Sequence, residues 1–137
     1  MNLLEIAIYQ NDRIIFQKII EEMRGNYIFG RSYEKCSKFA QLLSEPTKVI
    51  NLASAPAFVS NLHAVICEVH QEFHLIDGWG KYQSRNGVYV NQEKCDFRIL
   101  QPNDCIHLGR KEVEIIYRKL EFDEQERERQ TENSEFF

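Results

Sequence analysis

Short apolar-rich runs, some alternating with polar residues, recur between turn residues along most of the chain, the pattern of many short strands. Leu4, Ile6 and Ile8 alternate with Glu5, Ala7 and Tyr9, and Gln10-Asn11-Asp12 then supplies turn chemistry before Ile14-Ile15-Phe16, which predicts a first hairpin. Arg24-Gly25-Asn26 breaks the second strand, and Tyr27-Ile28-Phe29 opens a third that delivers Gly30-Arg31 at its end. His63 to Val69 and Phe73 to Asp77 flank the polar His70-Gln71-Glu72 as another hairpin. Val88-Tyr89-Val90, Arg98-Ile99-Leu100, Cys105-Ile106-His107-Leu108 and Val113 to Tyr117 complete the series. About ten or eleven strands with turns at short intervals predict an all-β, two-sheet sandwich.

One segment departs from this rhythm. From Tyr33 to Glu45, Cys36, Phe39, Ala40 and Leu43 fall at i, i+3, i+4 and i+7, one face of a helix that Pro46 would end. A short helical insertion over about residues 33–46 is therefore expected after the third strand, at the end of the sandwich where Arg31 lies. It reads as packing decoration or as added partner contact.

Composition narrows the class. A chain of 137 residues with 43% hydrophobic content is one globular domain, large enough for a core without staples. Cysteines 36, 67, 95 and 105 show neither a C-x-x-C pair nor zinc spacing, so reduced thiols and a cytoplasmic setting are expected, with Cys67 and Cys105 packing as small hydrophobes. The amino terminus does not read as a secretory signal, and no apolar run is long enough to span a bilayer.

The net charge of −4 is uneven, because seven acids against Arg127 and Arg129 give residues 120–137 a balance of −5 and leave the rest at +1. Residues 1–119 thus read as a nearly neutral domain without the basic footprint of a nucleic-acid binder, and 120–137 as an acidic, flexible tail. Helical i,i+3 spacing of Glu124 with Arg127 and of Glu126 with Arg129 would also suit one exposed helix.

Four phrases carry the chemistry: Ile28-Phe29-Gly30-Arg31, Val59-Ser60-Asn61-Leu62-His63-Ala64, Ser84-Arg85-Asn86-Gly87-Val88-Tyr89-Val90-Asn91 and Asp104-Cys105-Ile106-His107-Leu108-Gly109. Their order and spacing resemble the forkhead-associated domain, over about Ile14 to Tyr117. The resemblance implies a β-sandwich whose loops read phosphothreonine. A phosphothreonine brings about −1.5 to −2 charges and three acceptor oxygens, so its site needs a fixed cation, several donors and no carboxylate. Arginine suits the cation role through its permanently charged planar fork. No acid lies between Ala57 and Val65, and Ser60 offers a hydroxyl and, just before a strand, a backbone amide.

By that resemblance Arg31, Ser60 and Asn61 hold the phosphate, Asn86 bonds the peptide backbone and Arg85 faces the peptide, favouring an acid downstream. Gly30, His63, Gly87 and Asn91 support the site, His63 by bracing the loop and Gly87 by turning the chain into the next strand. Val88 stands where threonine is usual and Gln92 where glycine often follows, and Gly78 to Gln83 lengthen the approach to Ser84. Trp79 reads either as an exposed contact or as a buried anchor for that loop.

The implied function is phosphorylation-dependent protein–protein interaction in signalling, with a threonine-phosphorylated protein as partner. The alternative is a structural or oligomerising module of the same fold that binds without phosphate. His70 and His74 are four apart but belong to a hairpin, so no metal and no cofactor is expected, and no catalytic constellation is visible. Thr131, in the acidic tail, is a candidate phosphorylated ligand for self-association.

Overall fold

The alternation at the amino terminus becomes β1 (Asn2–Gln10), with Leu4, Ile6 and Ile8 fully buried. A computed structural model describes residues 1–120. The tail, with Thr131 and the charge pairs expected in it, lies outside the described residues. Leu120 and Met1 exchange two backbone bonds of 2.7 and 2.8 Å, continuing the pairing of β1 with the strand that ends at Lys119.

β1 pairs with β2 (Arg13–Ile20) and with β11 (Val113–Lys119), all antiparallel. Beyond β11 come β10 (Cys105–Leu108), β7 (Val88–Val90) and β8 (Glu93–Cys95), giving a six-stranded sheet in the order β2-β1-β11-β10-β7-β8. The second sheet runs β4 (Thr47–Asn51), β3 (Asn26–Gly30), β5 (Ala64–Val69), β6 (Glu72–Asp77), β9 (Phe97–Ile99). Between the sheets lies one core that includes Leu4, Ile6, Ile8, Tyr27, Phe29, Ile66, Phe73, Leu75, Ile106 and Ile115. The expected two-sheet sandwich is therefore the observed fold.

Hairpin turns at Asn11-Asp12, His70-Gln71 and Asn91-Gln92 place both central residues at positive φ, the mirror-image turn whose twist suits flanking strands. Gln92 adopts φ 74° without being glycine.

The insertion forms α1 (Tyr33–Ala40), capped by Ser32, whose Oγ accepts from the Lys35 N–H. It ends earlier than Pro46. The chain must turn back because the Pro46 carbonyl accepts the Asn26 N–H at 2.8 Å, which starts β4 in parallel register beside β3. Strand β4 was not expected, being a short edge strand without a clean alternation. A parallel pair requires a crossover, and α1 is that crossover. Cys36 of α1 buries with Ile28 and Val65, joined by Phe39, Ala40, Leu43 and Trp79. The Trp79 ring meets Phe39 edge-on at 5.4 Å, so Trp79 anchors its loop onto the helix.

Among the described residues no helix is long and apolar enough to cross a membrane. All four cysteines are unpaired. Cys67 is half-buried beside α1, whereas Cys105 does not pack as a core hydrophobe. It alternates with the fully buried Ile106 and thus projects from the outer face of its sheet.

Candidate functional site

Strand β3 ends at Gly30, and the two residues that follow are tied to the loop entering β5. The Arg31 N–H donates to the Ser60 carbonyl and the Ser32 N–H to the Asn61 carbonyl, each at 3.2 Å. Gly30 permits that approach, since a Cβ there would lie 2.0 Å from the Asn61 oxygen and 2.8 Å from the Cys36 sulfur. The Arg31 side chain then reaches back, and its Nε donates to the Val59 carbonyl at 2.7 Å. Neither Nη has a partner among the described residues. The guanidinium is oriented by a neutral acceptor, and no carboxylate among the described residues pairs with its charge.

Ser60 sits between two loops. Its Oγ accepts the Arg85 N–H at 3.0 Å, which leaves the hydroxyl hydrogen for an outside acceptor. Its backbone amide, expected to serve a ligand, is instead spent on His63 Nδ1 at 2.9 Å. Because Nδ1 accepts, the ring proton is on Nε2, which donates to the Gly87 carbonyl at 2.7 Å. Burial holds the His63 pKa below its ordinary 6.5, against the Gly87 bond and the Asp77 charge, which raise it. A neutral, two-sided strut between the loops is the result, with no nucleophile for His63 to activate.

Asn86 spends its Nδ2 on the Phe58 carbonyl at 2.8 Å, bracing the Arg31-facing loop from the other side. Its Oδ1 accepts no bond among the described residues. Gly87, at φ +87°, donates to Ser84 Oγ and accepts from His63 and from the Gly109 N–H. Asn91 is not brought to this place. It follows β7 while Gly87 precedes it, and it bonds Asp104 and Cys105 at the other end of that strand.

Arg31, Ser60, Asn61 and Arg85 line one cleft of about 480 Å³ together with Ala57, Val59 and Gln83. Among the described residues no carboxylate is in that lining. A cleft of about 680 Å³ elsewhere includes Asp12, Glu112 and Glu114 against Lys111, so its charge suits an anion poorly. Gln83 had no signal in the sequence. It reaches the cleft because Trp79 and Tyr82 exchange backbone bonds and fold the long approach into a closed turn, with Gly78 and Gly80 at positive φ.

The sequence model of the FHA domain family matches residues 27–109, more than half of the chain, and the chain belongs to that family. FHA domains are interaction modules, generally readers of phosphothreonine, and not enzymes. Comparison with curated proteins gives no match. Among solved structures, the Slr1951 protein from Synechocystis sp. is 21% identical with a TM-score of 0.60, covering 88% of this chain and 100% of its own. An FHA domain analysed for phosphothreonine-dependent interactions is 23% identical, with a TM-score of 0.54 and coverage of 88% and 99%. Mycobacterium tuberculosis EmbR in complex with a low-affinity phosphopeptide is 20% identical, with a TM-score of 0.54 over 85% of this chain and 24% of that one. At these identities the likeness is one of fold.

Proposed function

We propose that the chain binds threonine-phosphorylated proteins in the Arg31 cleft and thereby mediates phosphorylation-dependent association. The observation that carries this reading is the Arg31 guanidinium, held through Nε by a backbone carbonyl, with neither Nη partnered and no carboxylate lining the cleft among the described residues. Such a fork donates to two phosphate oxygens at once. The Ser60 hydroxyl donates to another, Asn61 contributes its amide, and Arg85 lends a second positive charge that favours an acid after the phosphothreonine. With its Nδ2 committed to Phe58, Asn86 uses Oδ1 to accept a peptide N–H.

An array of phosphothreonine, phosphoserine and unmodified peptides tests the reading. Binding confined to phosphothreonine and lost in Arg31→Ala supports it. Affinity indifferent to phosphatase treatment replaces it with the phosphate-independent interaction module. The four unpaired thiols accord with a cytoplasmic setting. Phosphorylated Thr131 is one source of ligand, tested by whether its phosphorylation changes mass in solution relative to Thr131→Ala.

A further inference from the structure

Away from the cleft, a thiol, an imidazole and a carboxylate converge on the outer face of the six-stranded sheet. Cys105 and His107 alternate along β10 with Ile106 and Leu108, both fully buried, so the two polar side chains share the opposite face. Glu114 stands directly across from His107 in the β10–β11 register. The Cys105 sulfur lies 3.8 Å from His107 Nε2, and Nε2 lies 3.6 Å from the Glu114 carboxylate. All three donor atoms fall within 4.8 Å of one another.

The two separations from Nε2, 3.8 and 3.6 Å, are close to the edges of a coordination tetrahedron. With zinc bonds of about 2.3 Å to sulfur, 2.0–2.1 Å to imidazole nitrogen and 2.0–2.2 Å to carboxylate oxygen, neighbouring ligand atoms sit roughly 3.4–3.6 Å apart. Small side-chain rotations on two hydrogen-bonded strands close the difference. A thiolate with an imidazole and a carboxylate is a donor set for zinc, where magnesium or calcium would require oxygen ligands throughout.

Partial exposure of His107 and Glu114, 17% and 26%, leaves an entry path. A cleft of about 680 Å³ opens at the same two residues beside Tyr9, Asp12 and Gln92, leaving space for a fourth ligand.

We propose that Cys105, His107 and Glu114 form a Zn(II) site on the sheet face, with three protein ligands and the remaining position open to water in that cleft. On binding, the Cys105 thiol releases its proton to solvent as the zinc–sulfur bond forms, and the ion bridges β10 to β11. The sequence carries no such spacing, because two ligands are two apart on a strand and the third arrives by strand pairing. The site is independent of the phosphopeptide reading, since none of its residues lines the Arg31 cleft.

The test is titration of the full chain, stripped with chelator, by Co(II) as a spectroscopic probe, followed by displacement with Zn(II). One equivalent of Co(II) is expected to produce a thiolate-to-metal band that Zn(II) abolishes. Cys105→Ser should remove the band, whereas Cys67→Ser and Cys95→Ser should keep it. His107→Gln and Glu114→Gln retain every thiol, so they report even if Cys105→Ser fails to fold, and each should weaken binding about tenfold or more. Zn(II) should raise the Tm of the wild type and not of His107→Gln. Absence of the band, or a band and affinity unchanged in His107→Gln and Glu114→Gln, overturns the site and leaves a cross-strand His–Glu pair beside a thiol.

Discussion

Arg31 and Arg98 are both half-buried, yet the fold uses them in opposite ways. Arg31 is steered by one bond to the Val59 carbonyl and keeps its charge open to a cleft. Arg98 gives Nε and Nη2 to the two oxygens of Asp104, at 3.0 and 3.1 Å, and Asp104 is itself only 4% exposed. The same carboxylate accepts the Gln101 N–H and the Asn91 amide, so the pair locks the turn before β10. Burial pushes the Asp104 pKa up, but the bonds from Arg98, Gln101 and Asn91 outweigh it and hold the carboxyl below its ordinary 3.8. An arginine becomes a binding residue where the fold orients it with a neutral carbonyl, and a structural one where the fold supplies an acid.

The sharpest break between the two is mutational. Arg31→Ala should cost roughly 2–5 kcal/mol of phosphothreonine-peptide affinity by calorimetry, because a charge-assisted fork is lost. Its Tm should barely move, and a variant that unfolds would make Arg31 a second Arg98. Arg98→Ala should do the reverse, lowering unfolding free energy in urea by about 2 kcal/mol, since Asp104 then stays buried without its charged partner. Peptide affinity of the folded fraction should be unchanged.

Within the cleft the comparison can be refined by peptide preference. Asn86→Ala should weaken phosphothreonine peptides uniformly, by about 1 kcal/mol. Arg85→Glu should penalise most those with a downstream acid, where attraction becomes repulsion. Identical rank orders across a peptide library for both variants would sink the division of roles.

The two ends should also separate by pH. His63 has a lowered pKa in the folded state, so the unfolded chain binds more protons below 6.5 and stability falls as pH drops through that value. Asp104, also lowered, contributes stability that is complete above 3.8 and lost as pH falls further. Denaturant midpoints followed from pH 8 downward should therefore show a decline that His63→Gln flattens. A later decline, more acidic than the first, should be shallower in Arg98→Ala.

The smallest expected effect lies at the Asn91 turn on the Arg98 side. Gln92→Gly relieves a left-handed backbone at φ 74° and should raise stability by about 0.5 kcal/mol, part of the gain being offset by unfolded-state entropy. Urea midpoints check it, and a decrease would mean that the Gln92 side chain makes a stabilising contact.

Much of this was legible in the chain alone. Alternation marked β1, and short apolar-rich runs bounded by turn residues marked β2, β3, β5, β6, β7, β9, β10 and β11. Helical spacing from Cys36 to Leu43 marked α1, although the parallel pairing of β4 with β3 shortened it. Gly30 and Arg31, the Ser60 phrase and Asn86-Gly87 were visible as an ordered set, and Arg31, Ser60, Asn61 and Arg85 do meet at one cleft.

Which atoms of those residues stay available was decided only by tertiary structure. Ser60 spends its amide on His63, Asn86 spends its Nδ2 on Phe58, and Asn91 works with Asp104 far along β7 from the Gly87 turn. The bond that orients Arg31 joins residues 28 apart, and the Cys105, His107 and Glu114 cluster exists because β10 and β11 pair in one register. Local chemistry determines which side chains and turns a segment can offer. Whether a donor faces a carbonyl, a carboxylate or an open cleft depends on contacts between strands distant in sequence, which no local period encodes.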